Sequence, residues 1–152
     1  MTGTPPTKAP PTVTVELGEG TDVHLKAGAH SWQADEPESS GGSDTGPNPY
    51  EMLLGALGSC TALTVRMYAR HKQMPVESVS ISYSFTRELA KDCPECDEDD
   101  DTRLDVIRAD VTIRGDLDEA QQDRLRQIVS RCPVHRTLEG GPRMFETVTF
   151  AD

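Results

Sequence analysis

Four cysteines hold the chemistry open to this chain, and they fall into two pairs. Cys60 lies midway along an apolar stretch with helical spacing, and Cys132 closes a second such stretch just before Pro133. The two are 72 positions apart (132 − 60), each on the apolar stripe of its own predicted helix, so folding could bring them together in the core. One thiolate could then attack an oxidant, and the other could resolve the product by forming a disulfide. The competing reading of Cys60 is a packed core thiol, because free cysteine is among the most buried residue types. Reactivity requires a lowered thiol pKa, and hence a nearby cation or helix N-terminus. Cys60 is three turns into its helix, where that helix's own dipole helps little, and Arg66 is at best an indirect candidate cation. Cys132 has Arg131, His135 and Arg136 beside it, residues that would equally suit a helix C-terminus.

Cys93 and Cys96 form a separate Cys-x-x-Cys pair. One such pair supplies two zinc ligands where a structural site takes four. A zinc site would therefore need a histidine pair or a second protomer. The flanking carboxylates disfavour thiolates, which leaves a reversible local disulfide or a plain loop as the expectation. His24 and His30 fall in predicted strands and His71 at a helix end, without the spacing of a metal motif.

The elements that must position these residues are legible from periodicity. Val13 and Val15, then Val23 and Leu25, then residues 30–34 predict three short strands, with glycines at 18, 20 and 28 in the turns. A polar loop covers residues 36–47. Asn48-Pro49-Tyr50-Glu51 predicts a helix start, with Asn48 as cap, Pro49 at the first position and Glu51 completing a capping box. That helix runs to about His71, and Leu53, Leu57, Cys60, Thr64 and Met67 predict its buried face. Gly55 and Gly58 weaken it, which suggests that another backbone approaches closely there. Val79, Ile81, Tyr83 and Phe85 alternate with serines and predict a half-buried strand, paired with one over residues 104–114. Asp116 and Glu119 predict a second capping box, opening a helix that carries Leu117, Leu125, Ile128, Val129 and Cys132 and stops at Pro133. Phe145, Val148 and Phe150 predict a last strand. The order βββ-α-ββ-α-β points to an α+β domain with antiparallel sheets.

At 152 residues the chain suits one domain: a disordered tail over 1–11, with four prolines and one lysine, and a folded region over 12–152 carrying an acidic hairpin insertion at about 89–103. The net charge is −11, with six carboxylates among residues 95–101, which argues against nucleic acid and against an anionic membrane surface as partners. The tail has neither the apolar run of a signal peptide nor a membrane span, so the expected compartment is a reducing cytoplasm. There, cysteines are catalytic or metal-binding more often than structural.

Three motifs in order resemble the OsmC/Ohr family of osmotically inducible and organic hydroperoxide resistance proteins. They are Gly46-Pro47-Asn48-Pro49-Tyr50-Glu51, Leu54-Gly55-Ala56-Leu57-Gly58-Ser59-Cys60 and Arg131-Cys132-Pro133-Val134-His135. The loop with Asp35-Glu36-Pro37 and Gly41-Gly42 is similar to the subgroup found fused to hydrolase domains, some of which carry a comparable cysteine pair in the central hairpin. The resemblance covers about residues 12–150. It implies an intertwined homodimer whose antiparallel sheets wrap long central helices, no cofactor, and thiol-dependent reduction of organic hydroperoxides with an external dithiol as reductant. By motif match Cys60 would be the peroxidatic cysteine and Cys132 the resolving one, with Glu51 as a further candidate catalytic residue. The family pattern also includes an activating arginine from an early strand, but the first arginine here is Arg66, and the early strands offer Lys26, His24 and His30. The family glutamate falls where Tyr50 stands. Two other functions fit the sequence: a non-catalytic dimer binding a small apolar ligand at its interface, or a redox or zinc sensor acting through Cys93 and Cys96.

Overall fold

A computed structural model describes residues 9–97 and 100–151; most of the expected N-terminal tail and two positions of the acidic run lie outside the described residues. The chain divides into two compact units, residues 1–52 and 53–152.

The first unit is a three-stranded antiparallel meander of β1 (Thr14–Leu17), β2 (Val23–Ala27) and β3 (His30–Ala34). Pairing of Val15 with Leu25, and of Leu25 with Trp32, sets its register. The β2–β3 turn places Gly28 at φ 59°, a left-handed position that glycine enters without steric cost. After β3 the loop is organised around Asp35, which is 2% exposed. Its carboxylate accepts hydrogen bonds from the N–H groups of Glu36, Ser43 and Thr45 and from the Thr45 hydroxyl. The Thr21 hydroxyl, against the opposing cost of burial, and then these donors hold the Asp35 carboxyl well below the usual carboxylate range. Gly42 closes the same turn, where an added Cβ would sit 1.9 Å from the Glu36 carbonyl oxygen.

Helix α1 (Pro49–His71) starts on the expected capping box: Glu51 N–H donates to the Asn48 side chain, and Asn48 N–H donates to the Glu51 carboxylate. By length and composition α1 would suffice to cross a bilayer, yet in this fold one stripe of it is committed to the core. That stripe is Leu57, Thr61, Val65 and Ala69, not the expected Leu53, Cys60, Thr64 and Met67. Met67 is 68% exposed, and Cys60 sits half-buried at the stripe's edge. The reason for the rotation is Thr61, a polar residue whose hydroxyl finds partners inside the protein. No backbone approaches Gly55, which faces open space, and an added Cβ at Gly58 would meet only the Tyr83 ring, at 3.5 Å.

In the second unit β4 (Val76–Leu89) and β5 (Arg103–Gly115) form a long antiparallel hairpin. Val65 and Ala69 of α1 pack with Val76 and with Leu125 and Ile128 of α2 (Glu119–Val129), and Val79, Ile113 and Val129 close around them. The capping box of α2 is Asp118 with Gln121, two residues beyond the expected Asp116 and Glu119. Nor does α2 reach Cys132: it ends at Val129, and Pro133 opens a further helix, α3 (Pro133–Gly140), with Cys132 as its N-cap. Proline suits that first position because the missing N–H would have had no intrahelical partner. The final predicted strand is absent among the described residues, and Phe145, Val148 and Phe150 are 89%, 74% and 94% exposed. Their alternation would suit a sheet edge, but the segment pairs with neither sheet. The element order is therefore βββ-α-ββ-α-α, an α+β fold built on antiparallel sheets.

Asp35 yields a direct test of the loop. Because its folded pKa is depressed, its contribution is complete above the unfolded carboxyl value near ~4 and is lost as pH falls below that toward the folded value. Replacing Asp35→Ala should accelerate amide hydrogen exchange at Ser43 and Thr45 at neutral pH while leaving the α2 amides unchanged. Unaltered protection at Ser43 and Thr45 would mean that the carboxylate does not hold the loop.

Candidate functional site

Cys132 is fully buried and has extended backbone angles as the N-cap of α3. Its sulfur faces the first turn of that helix, where backbone N–H groups lack intrahelical partners, and it accepts a hydrogen bond from His135 N–H at 3.2 Å. From α1 the Thr61 hydroxyl donates to the same sulfur at 3.4 Å. Behind Thr61 stands the Tyr83 hydroxyl of β4, 3.1 Å away. With Thr61 turned toward sulfur, Tyr83 is the donor in that second contact. The result is a relay running Tyr83 to Thr61 to Cys132.

Cys60 precedes Thr61 on α1, and its thiol is among the groups that lower the Cys132 thiol pKa. The two side chains are thus close enough to interact, and both are free thiols. Burial pushes the Cys132 pKa up. The Thr61 hydroxyl, His135 N–H, the Cys60 thiol and Val134 N–H outweigh it, so the thiol is held below its ordinary range. The donors are neutral. Arg131 and Arg136 are exposed, and His135 reaches the sulfur through its backbone while its ring pairs with Glu139 at 3.0 Å. Arg66, the indirect candidate, directs its guanidinium to the carbonyls of Val76 and Glu77. Glu51 is engaged in its capping box. His24 lies 3.3 Å from Asp22 within the first unit.

A cavity of about 320 Å³ is lined by Leu57, Tyr83, Ile107, Ala109, Leu138 and the His135–Glu139 pair among others. Apolar side chains form most of its wall, and Tyr83 and His135 link it to the Thr61–Cys132 contact. Such a site can hold a small molecule with an alkyl or aryl body close to a thiol pair.

Thr61 and Tyr83 are functional candidates that the sequence reading missed. A threonine in the middle of an apolar helix and directly after Cys60 was the available signal, since a buried hydroxyl must find a partner. Cys93 and Cys96 are joined in a disulfide. Among the described residues no group of three or more His, Cys, Asp and Glu side chains could hold a metal ion.

Thr61→Val removes one of the donors to the Cys132 sulfur. A hydrogen bond to a charged group is worth roughly 1.5–3 kcal/mol, so the apparent pKa should rise by about one unit. Ultraviolet thiolate absorbance across a pH titration reads this directly. An unchanged titration would show that the hydroxyl does not support the anion.

The OsmC-like protein family model matches residues 41–145, while no curated protein matches the chain. Among solved structures, an OsmC-like protein from Mycoplasma pneumoniae is 20% identical, with a TM-score of 0.69, over 89% of this chain and 91% of its own. An organic hydroperoxide resistance protein OsmC from Legionella pneumophila is 17% identical, with a TM-score of 0.62, over 88% and 92%. The organic hydroperoxide resistance protein OhrB of Bacillus subtilis is 18% identical, with a TM-score of 0.57, over 87% and 92%. At these identities the likeness is one of fold.

Proposed function

Starting from the premise that this chain belongs to the OsmC-like protein family, we propose that it is a thiol peroxidase that reduces organic hydroperoxides in oxidative-stress defence, through a Cys60 sulfenic acid resolved by Cys132. The observation that carries this reading is the approach of two free thiols, remote in sequence, with Tyr83 and His135 linking their surroundings to an apolar cavity.

Exposure supports these roles. Cys132 has no solvent access, whereas Cys60 is half-buried, so a peroxide can meet Cys60 first. The pair loses one proton to solvent, and the donors around Cys132 stabilise the anion. Passage of the remaining shared proton to Cys132 makes Cys60 the thiolate. That thiolate attacks the distal peroxide oxygen, the O–O bond breaks, and the alkoxide takes the Cys132 proton to leave as alcohol. The Cys132 thiolate then attacks the Cys60 sulfenic sulfur and expels hydroxide, which a solvent proton converts to water. An external dithiol reduces the disulfide and restores both thiols. Glu51 enters this proposal as the residue that fixes the start of α1.

The reading includes a homodimer in a reducing cytoplasm. Leu63 and Met67 of α1 are 60% and 68% exposed, and Phe145 and Phe150 are more so, apolar surface that a second copy would cover. Light scattering should give twice the chain mass of 16.6 kDa; a mass equal to one chain would remove the dimer from the proposal.

A peroxidase assay with tert-butyl or cumene hydroperoxide and a dithiol tests the chemistry. Cys60→Ser should abolish turnover, and Cys132→Ser should leave a sulfenic acid on Cys60 that a dimedone-type reagent captures. Wild-type turnover in Cys60→Ser would make Cys60 a packing residue and support the non-catalytic alternative.

A further inference from the structure

The hairpin tip carries chemistry that the peroxidase reading does not use. The Cys93–Cys96 disulfide packs beside β5, where a groove of about 370 Å³ is lined by both cysteines, Glu95 and the run from Leu104 to Arg108, Ile107 included. Its two sulfurs are not equivalent. Cys93 is 5% exposed, and Arg108 Nη2 lies 3.8 Å from its sulfur. Cys96 is partly open to solvent. Arg108 is fixed in place by Glu88, at 2.5 Å, and by Glu95, at 3.0 Å; its guanidinium in turn holds the Glu88 carboxyl down at about 2. Glu95 also approaches the Cys93 sulfur, at 3.8 Å, so the guanidinium must offset a carboxylate as well as face the sulfur.

We propose that Cys93 and Cys96 form a second redox centre, a thiol–disulfide exchange site attacked at Cys96 by a dithiol carried on a positively charged partner, with Cys93 released as a thiolate against Arg108. The incoming thiolate forms a sulfur–sulfur bond to Cys96 as the Cys93–Cys96 bond breaks, and the electron pair goes to Cys93. The partner's second thiol, once deprotonated, then attacks the partner sulfur of the mixed disulfide and releases Cys96. The dithiol is oxidised to a disulfide by two electrons, and Cys93 and Cys96 take up two protons. Access selects which sulfur is attacked, and a stabilised leaving thiolate departs faster. The partner's charge follows from residues 95–101, whose six carboxylates repel an anionic thiol and attract a cationic one. Arg108 is a positioning residue in this scheme.

The site does not depend on the Cys60–Cys132 chemistry. Successive strand residues point to opposite faces, so Arg108 projects from β5 opposite to Ala109 of the cavity near Cys132, and Ile107 is the one residue that borders both that cavity and the groove at the cysteine pair.

Three small thiols of opposite or no charge test the proposal on the wild-type chain: cysteamine, 2-mercaptoethanol and 2-mercaptoethanesulfonate. Acid quenching, alkylation and peptide mapping locate each mixed disulfide without reference to peroxidase activity. We expect the adduct on Cys96 with Cys93 alkylated. Rates per thiolate should fall from the cationic to the anionic reagent by about tenfold or more, and the spread should collapse at high salt, where exposed charges are screened. Arg108→Gln should slow all three reagents and raise the pH at which reduced Cys93 becomes alkylatable, with Arg108→Lys recovering part of both. Adducts on Cys93, or resistance of the folded protein to every thiol, would overturn the exchange site. Equal rates for all three reagents would overturn the charged partner, and an Arg108→Gln protein with wild-type rates and pH profile would remove Arg108 from the scheme.

Discussion

A sulfur atom with no solvent exposure constrains the second unit more than any other single feature. Cys132 can be buried and still ionise only if its hydrogen-bond donors are delivered by the fold, and they come from separate elements. Thr61 comes from α1, the His135 and Val134 amides from α3, and Tyr83 supports Thr61 from β4. The rotation of α1, the register of β4 on β5 and the starting point of α3 are therefore coupled. A one-residue slip of the hairpin would turn Tyr83 to the opposite face. Rotating α1 so that Cys60 took the centre of the buried stripe would withdraw the Thr61 hydroxyl. Packing and chemistry meet at the same three side chains.

This arrangement answers, by a different physical route, the problem left by the absence of an early arginine. A cation stabilises a thiolate through charge and acts over several ångströms, but solvent and salt weaken it at exposed sites. Neutral donors act only at contact distance and need no counter-ion, so they suit a site from which water is excluded. Arg66 was not available in any case, because its guanidinium closes the junction between α1 and β4 by bonding the Val76 and Glu77 carbonyls.

The sequence was most informative where local rules and periodicity act alone. Strand alternation located the meander and the β4–β5 hairpin, and the Asn48–Glu51 capping box located the start of α1. It was less informative where tertiary contacts decide. Thr61 reads as a polar interruption of an apolar face until Tyr83 and Cys132 are seen to satisfy it, so the buried stripe was placed one residue off. Pro133 carries two local meanings, the end of one helix or the first position of the next, and spacing alone does not separate them. Phe145, Val148 and Phe150 alternate as a strand would, but alternation reports a preference for a sheet edge and not the presence of one. The Cys93–Cys96 loop was read as an acidic setting because its carboxylates are adjacent in sequence, whereas the cation that faces Cys93 arrives from twelve residues downstream of Cys96 (108 − 96).

The hairpin also separates two kinds of surroundings within one small chain. Odd-numbered positions, among them Tyr83, Ile107 and Ala109, form the apolar wall beside Cys132, while Glu88 and Arg108 form a charged network on the other face. The strand's period of two thus sorts the encounters by polarity. A small uncharged molecule with an alkyl body gains by entering the apolar side, where no charged partner can be desolvated cheaply. A charged partner gains on the acidic side, where the field is strongest and the Cys96 sulfur is reachable.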